Sequence, residues 1–297
     1  WEVKTYRRIE GKTIKDLEKG ASERVTDEEQ AKKHDPFDFA RWKKAKPGEI
    51  AWDSPWGKGR PGWHIECSVM ATKYLEDTID IHAGGVDLEF PHHENEIAQS
   101  ESKTGRKFVN YWMYNGFVTI GKENENMSKS LGNFVTVHDL VKKVDPQVIR
   151  FFMATTHYRR PVQYTEENLA EAKTNLEKLT TAYRNLDYRM KDAGEVSADE
   201  TVQRQFEQLV SDYEKAMDDD FNVQNAMTSL YEFAKLMNVY AEKEQVSKEL
   251  AKAMLTKFEA LTQIIGIKMP KQELLDEEIE KLIQERTAAR ANKDYAR

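Results

Sequence analysis

The chain has 297 residues, 39% hydrophobic and 33% charged, with a net charge of -7. That balance excludes a uniformly basic nucleic-acid-binding surface, so any such surface must be a local patch. Its single cysteine excludes an internal disulfide and favours a reducing compartment, and no apolar run reaches the about 18 residues of a membrane span. Residues 1–60 read as a mixed, partly irregular segment that starts at Trp1 rather than Met, so a fragment is expected. Thr26-Asp27-Glu28-Glu29 is a capping box, and its short helix should end before Asp35-Pro36. Trp1, Trp42, Trp52, Trp56 and Trp63 crowd into this region, around a turn-rich loop over 53–63. A loop of that length is often functional, although its tryptophans could equally serve to pin it down.

Trp63 to Leu75 reads as a helix, with Cys67, Met70, Ala71 and Tyr74 on one face. On that pattern Cys67 is a buried core thiol, and His64 lies one turn before it. Ile79 and Ile81 flank Asp80 like a short buried strand. Gly84-Gly85 then lets the backbone turn closely, and Pro91 fits the first turn of a helix. Strand, glycine loop and helix start is the usual place for a nucleotide in an open α/β sheet. On that helix His92 and Glu96 share a face and can hold a zinc ion. Gly105 ends the helix, and Tyr111 to Ile120 reads as further strand.

A polar loop follows, with Lys122 inside it, and then Met127-Ser128-Lys129-Ser130-Leu131-Gly132-Asn133. A lysine between serines on a mobile glycine-containing loop suits a polyphosphate partner, and a solvated surface loop has the same composition. Helices are expected from Thr136 and after Asp145-Pro146, the latter with Val148, Ile149, Phe152 and Met153 inside. From Thr165 the pattern changes to long amphipathic helices. Their apolar stripes are Leu169-Ala172-Leu176-Leu179-Tyr183-Leu186, Phe206-Leu209-Val210-Tyr213-Met217, Ala226-Leu230-Phe233-Ala234-Met237 and Leu250-Met254-Phe258-Leu261-Ile265. A last helix from about Asp276 carries Arg286, Arg290, Lys293 and Arg297 as a basic stripe. It reads either as a phosphate-contacting surface or as a solvated face paired with Glu280 and Glu285.

Several of these segments, in this order, resemble the cysteinyl-tRNA synthetases, a family of class I aminoacyl-tRNA synthetases. They are Trp52 to Gly57, Gly62 to Ser68, Gly84 to Gln99, Met127 to Asn133 and Asp218-Asp219-Asp220-Phe221-Asn222. The resemblance implies an α/β fold, the second half of a Rossmann-like catalytic domain, followed by an all-α helix bundle. The domains would be 1–120 with the catalytic fold and a connecting insertion, 121–164 with the KMSKS-type loop and stem-contact region, and 165–297 as a DALR-like bundle on the anticodon side. It implies ATP-dependent activation of L-cysteine to cysteinyl-adenylate and transfer to tRNA(Cys), with zinc and with ATP used together with Mg2+. The substrate carboxylate itself would attack the α-phosphate, so positioning and charge stabilisation would carry the rate. Zinc in the family is held by two cysteines, a histidine and a glutamate, and Cys67, His92 and Glu96 match three of these positions. That overturns the core-thiol reading of Cys67.

Trp63 and His82 match the cysteine pocket, and Gly84, Gly85 and Asp87 match the ATP site. Lys129 matches the second lysine of the KMSKS signature, here Asn126-Met127-Ser128-Lys129-Ser130, with asparagine in place of the first lysine. The HIGH signature and the first zinc cysteine have no counterpart. The missing half of the nucleotide fold is therefore expected before Trp1, and the polypeptide alone is expected not to make the adenylate efficiently. A cytoplasmic monomer without a membrane span is expected, with Arg286, Arg290 and Lys293 toward tRNA. Alternatives are the cysteine ligase of mycothiol synthesis and a non-catalytic tRNA-binding fragment. A zinc hydrolase is disfavoured because His92-His93-Glu94-Asn95-Glu96 is not His-Glu-x-x-His.

Overall fold

The computed structural model describes residues 38–121, 125–126, 134–270 and 286. The capping box at Thr26–Glu29, Trp1, Lys122, the Met127–Asn133 motif with Lys129, and Arg290, Lys293 and Arg297 lie outside the described residues. The chain divides into two compact units, one of residues up to Phe117 with Tyr158–Pro161, the other of Val118–His157 and everything from Val162.

In the first unit β1 (Trp42–Lys44) pairs antiparallel with β2 (Gly59–Pro61), Lys43 opposite Arg60. Helix α1 (Trp63–Leu75) follows, as its periodicity predicts. Its inward face differs from the predicted one. Met70 and Tyr74 are 53% and 73% exposed, whereas Ser68 is buried and donates to Gln99 Oε1 at 2.8 Å. The reason lies in the partner helix α2 (Glu94–Thr104), whose buried residues are mostly polar and so match a serine rather than a methionine.

Strand β3 (Ile79–Gly85) runs parallel to β4 (Val109–Asn115), with His82 opposite Trp112. Ile79 is buried with Ile97, Phe108, Val109 and Tyr114. Ile81 is not, being 59% exposed. His82, not Ile81, is the side chain that meets the aromatic cluster in the middle of the strand. The strand also runs through Gly84 and Gly85 rather than stopping before them. The chain then makes a 3-10 turn over Val86–Leu88 and an irregular turn over Glu89–His93, in which Phe90 is extended and the Phe90–Pro91 peptide is cis. Pro91 restarts helical geometry that leads into α2, and Gly105 closes α2 in the left-handed region at φ 67°.

In the second unit β5 (Val118–Ile120) lies between antiparallel β6 (Glu125–Asn126) and parallel β7 (Val162–Tyr164). Two short helices are capped as expected: Thr136 caps α3 (Val137–Leu140) and Asp145 caps α4 (Pro146–Ala154). Within α4 the buried set is Val148, Ile149, Phe151 and Phe152, and Met153 is 42% exposed against expectation. Residues 148, 151 and 152 form the i, i+3, i+4 stripe, and 153, one turn beyond Ile149, falls at its edge.

Four long helices follow: α5 (Glu166–Arg189), α6 (Glu200–Asp218), α7 (Val223–Ala241) and α8 (Lys248–Ile264). Their predicted stripes interlock in one core, in which Leu179, Leu230, Met237, Met254 and Phe258 are fully buried. Tyr213 reaches across to donate to the Leu261 carbonyl at 3.0 Å. Asp220 and Phe221, at φ 52° and 54°, make a tight link between α6 and α7, and Asn222 caps α7. Among the described residues no helix is long and apolar enough to cross a membrane.

Candidate metal centre

The start of α2 is unusual for a helix beside a core. His92, His93, Glu94, Asn95 and Glu96 are all buried, with Glu96 fully so. Buried polar groups of this kind need partners, and the neighbouring elements supply them. From α1, His64 Nδ1 lies 2.7 Å from His92 Nδ1. From β3, His82 Nε2 lies 2.9 Å from Glu96 Oε2. From β4, the Tyr114 hydroxyl lies 2.9 Å from His93 Nδ1. Trp63 packs its indole on the His92 ring at 4.5 Å between centroids.

Cys67 joins this group from α1. One donor atom each from Cys67, His92 and Glu96 lie within 4.8 Å of one another, as do donors from His82, His93 and Glu96. Glu96 is common to both groups and turns one oxygen to each. Its Oε1 sits 2.7 Å from His92 Nε2, yet it finds no hydrogen bond of acceptable geometry. A buried carboxylate oxygen and an imidazole nitrogen crowded together beside a thiol is the arrangement of ligands aimed at one cation. The sulfur, nitrogen and oxygen donors suit zinc, and three protein donors leave a position open. The second group lacks sulfur, and His82 is only partly buried.

The electrostatics keep two of the imidazoles, His64 and His93, neutral beside one anion. Burial, then the neighbouring His92, pushes His64 down to about 4. Burial and then His82 do the same for His93. For Glu96, burial acts to raise the carboxyl, but the His82 and His92 imidazoles prevail and hold it down at about 2. Burial, then Glu96 and Glu66, pushes the Cys67 thiol up. A cation bound there must therefore displace the thiol proton.

Of the residues expected at the site, the structure brings together Cys67, His92, Glu96, Trp63 and His82. Gly84 touches the group indirectly. A Cβ there would come within 2.9 Å of the His93 ring and 3.0 Å of Leu88. Its lack of a side chain thus serves close packing, since neither Gly84 nor Gly85 has a positive φ, which corrects the reading of the pair as a turn. Asp87 is exposed just past the carboxyl end of β3, its Oδ1 folded against Gly85. Asn126 belongs to β6, in the second unit. Arg286 is helical and exposed. The sequence did not single out His93 and Tyr114, and gave His64 little weight. The one available signal was His64 standing a helical turn before Cys67.

The family described as tRNA synthetases class I (C) catalytic domain matches residues 1–174, and the DALR domain matches residues 212–269. The chain is 62% identical over 295 residues to a cysteine--tRNA ligase of Ligilactobacillus salivarius, covering 99% of this chain and 63% of that protein. It is 60% identical over 296 residues to a cysteine--tRNA ligase of Lactiplantibacillus plantarum, with the same coverage. The chain thus spans about 63% of the length of these curated relatives. A solved structure provisionally described as an arginyl tRNA synthetase from Campylobacter jejuni shares the fold. Its TM-score is 0.53 at 12% identity, with 78% of this chain and 59% of that chain covered.

Proposed function

The chain belongs to the class I (C) tRNA synthetase catalytic-domain family, and from that membership we propose that it serves a cysteine–tRNA ligase. In this reading ATP, with Mg2+, activates L-cysteine to the adenylate, and the cysteinyl group passes to tRNA(Cys). The observation that carries it is the convergence of Cys67, His92 and Glu96 donors within 4.8 Å. Such a centre has a use in selecting a thiol substrate, and the relatives that match over nearly the whole chain are named for cysteine. Cys67, His92 and Glu96 would hold the zinc, which when bound supplies an open soft position that accepts a thiolate far better than a hydroxyl. A site that demands a partner atom rejects the analogue lacking it strongly, because its own group is then left unsatisfied.

The remaining roles belong to the chain's own residues. His64 orients His92: with His92 Nε2 given to the metal, its Nδ1 would carry the proton and donate to His64 Nδ1. This fixes the tautomer, as a supporting partner does for a metal-binding histidine. Trp63 covers the His92 ring and stands 48% exposed, available to a substrate. His82, held by Glu96 at 2.9 Å, is assigned with Trp63 to the cysteine pocket. Asp87 is assigned to the ATP ribose, where its exposed carboxylate can accept hydroxyl hydrogens. Gly84 and Gly85 beside it are assigned to the ATP site, Lys129 to the phosphates, and Arg286, Arg290 and Lys293 to tRNA.

The test is ligand choice by calorimetry. The zinc-loaded chain is expected to bind L-cysteine about 100-fold or more tighter than L-serine, and the zinc-free chain to bind neither selectively. Equal binding of the two amino acids by the zinc-loaded chain contradicts the proposal. In the same assay His64→Phe keeps the ring but loses the hydrogen bond, and should weaken zinc by about 10- to 100-fold. His64→Asn keeps an acceptor near the Nδ1 position and should recover most of that loss. The opposite order, Phe tolerated and Asn not, would assign His64 to packing alone.

A further inference from the structure

The β1–β2 ribbon carries a second feature that the metal centre does not use. Between positions 41 and 60 the sequence places Arg41, Lys43, Lys44, Lys46, Lys58 and Arg60 against only Glu49 and Asp53, on a chain whose net charge is -7. Within this basic stretch Trp52 and Trp56 are 55% and 79% exposed. The exposure of Trp56 is built into the turn. Ser54 Oγ donates to the Gly57 carbonyl at 2.6 Å and accepts from Trp56 N at 3.1 Å, while Gly57 N donates to the Ser54 carbonyl at 3.0 Å. Below the turn, Trp52 and Gly59 exchange backbone hydrogen bonds of 2.8 and 3.0 Å.

Trp42 lies on the same ribbon. Its indole rests across Gly59, where a Cβ would approach Trp42 Nε1 to 2.4 Å. That Nε1 is buried without a hydrogen-bond partner among the described residues. Arg41, Trp42, Lys44, Trp56, Gly57 and Lys58 line one cavity of about 520 Å3. Two indoles and three cations around a single open cavity match the chemistry of a nucleobase with its phosphate. Aromatic faces stack on bases of any sequence, and lysines track the backbone. The bases of a duplex are already stacked on each other, so the indoles could reach only unpaired ones.

We infer that this ribbon is a binding surface for single-stranded RNA. Given the proposed function, on which this identification of the strand rests, the strand is the unpaired 3′ end of the tRNA. The ribbon is placed for it, since β2 ends at Pro61 and α1 starts at Trp63, four residues before Cys67. Gly62 N is tied back to the Arg41 carbonyl at 2.8 Å, which couples the ribbon to the start of that helix.

The experiment titrates the 297-residue chain with a fluorescent single-stranded RNA hexamer, without cysteine, ATP or added zinc. Competitors are the same sequence as a duplex, and heparin. Trp56→Ala is expected to weaken the hexamer by about 10-fold or more, and Trp56→Phe by no more than about 3-fold. Replacing both Lys44 and Lys58 by glutamine should flatten the logarithmic salt dependence by about 1.4, about 0.7 for each phosphate no longer neutralised. Unchanged binding by Trp56→Ala, equal damage from Phe and Ala, or competition by duplex and heparin as strong as by the hexamer would overturn the inference. Because Trp56 is exposed, its variants should keep the circular dichroism of the parent. A negative result here leaves cysteine selection standing, and a failure of cysteine selection leaves this binding measurement intact.

Discussion

Cys67→Ser is expected to lower zinc affinity beyond the about 10- to 100-fold that removing a supporting partner costs, and to abolish the preference for cysteine over serine. The argument is chemical. Serine at this place offers a hard oxygen that stays protonated at neutral pH, next to the His92 nitrogen and the Glu96 carboxylate of the same site. The parent site should also show a pH signature. Burial and the neighbouring carboxylates push the Cys67 thiol up, so binding a cation at neutral pH releases a proton, and affinity falls as pH falls. Without the thiol that component of the pH slope disappears. Competition against a chelator at several pH values reads both effects. Equal affinity and equal slope in parent and variant would remove Cys67 from the centre.

The second large effect lies in the helical unit. Phe258→Ala should destabilise it by about 3–5 kcal/mol. Phe258 is fully buried, meets the Phe233 ring edge-on at 5.1 Å and 88°, and lies 6.5 Å from the Tyr183 ring. Removing it leaves a cavity that α7 and α8 cannot close, because Leu230, Met237 and Met254 in the same core are themselves fully buried. In a unit of this size the melting temperature should fall by about 6–20 °C, read as loss of helical circular dichroism. Val239→Ala, at a site 53% exposed on α7, should change stability by less than about 0.5 kcal/mol. A melting shift for Phe258→Ala no larger than that of Val239→Ala would mean the bundle core is misassigned.

These two sites also show what is legible in a sequence of this kind. The bundle is plain because each helix repeats leucine, methionine or phenylalanine at three- and four-residue steps, and every such stripe meets another. Helix α1 misleads for the opposite reason. Its apolar residues Met70 and Tyr74 face outward, and the side that packs is led by Ser68 because α2 presents Gln99, and the turn before α2 a buried His92, to it. Periodicity assumes an apolar partner and fails against a polar one.

At the candidate metal centre, His92 and Glu96 are readable because one helical turn joins them. Periodicity alone marks Cys67 as a core thiol, and only likeness to a family draws it to the site. His64 and Tyr114 are not readable as partners, since they reach their histidines from 28 and 21 positions away in the chain. Gly84 and Gly85 illustrate a further limit. Glycine in a sequence announces either an unusual backbone angle or a close neighbour, and here it is the neighbour.

The central claim is that a sulfur-containing metal centre in this chain tells a thiol from a hydroxyl. X-ray absorption at the zinc edge of the loaded chain tests it most directly. The account predicts a sulfur from Cys67 at about 2.3 Å alongside nitrogen and oxygen at about 2.0–2.2 Å. It predicts a second sulfur at about the same distance when L-cysteine is added, and no change when L-serine is added. A zinc shell without sulfur, or one that responds alike to cysteine and serine, would contradict it.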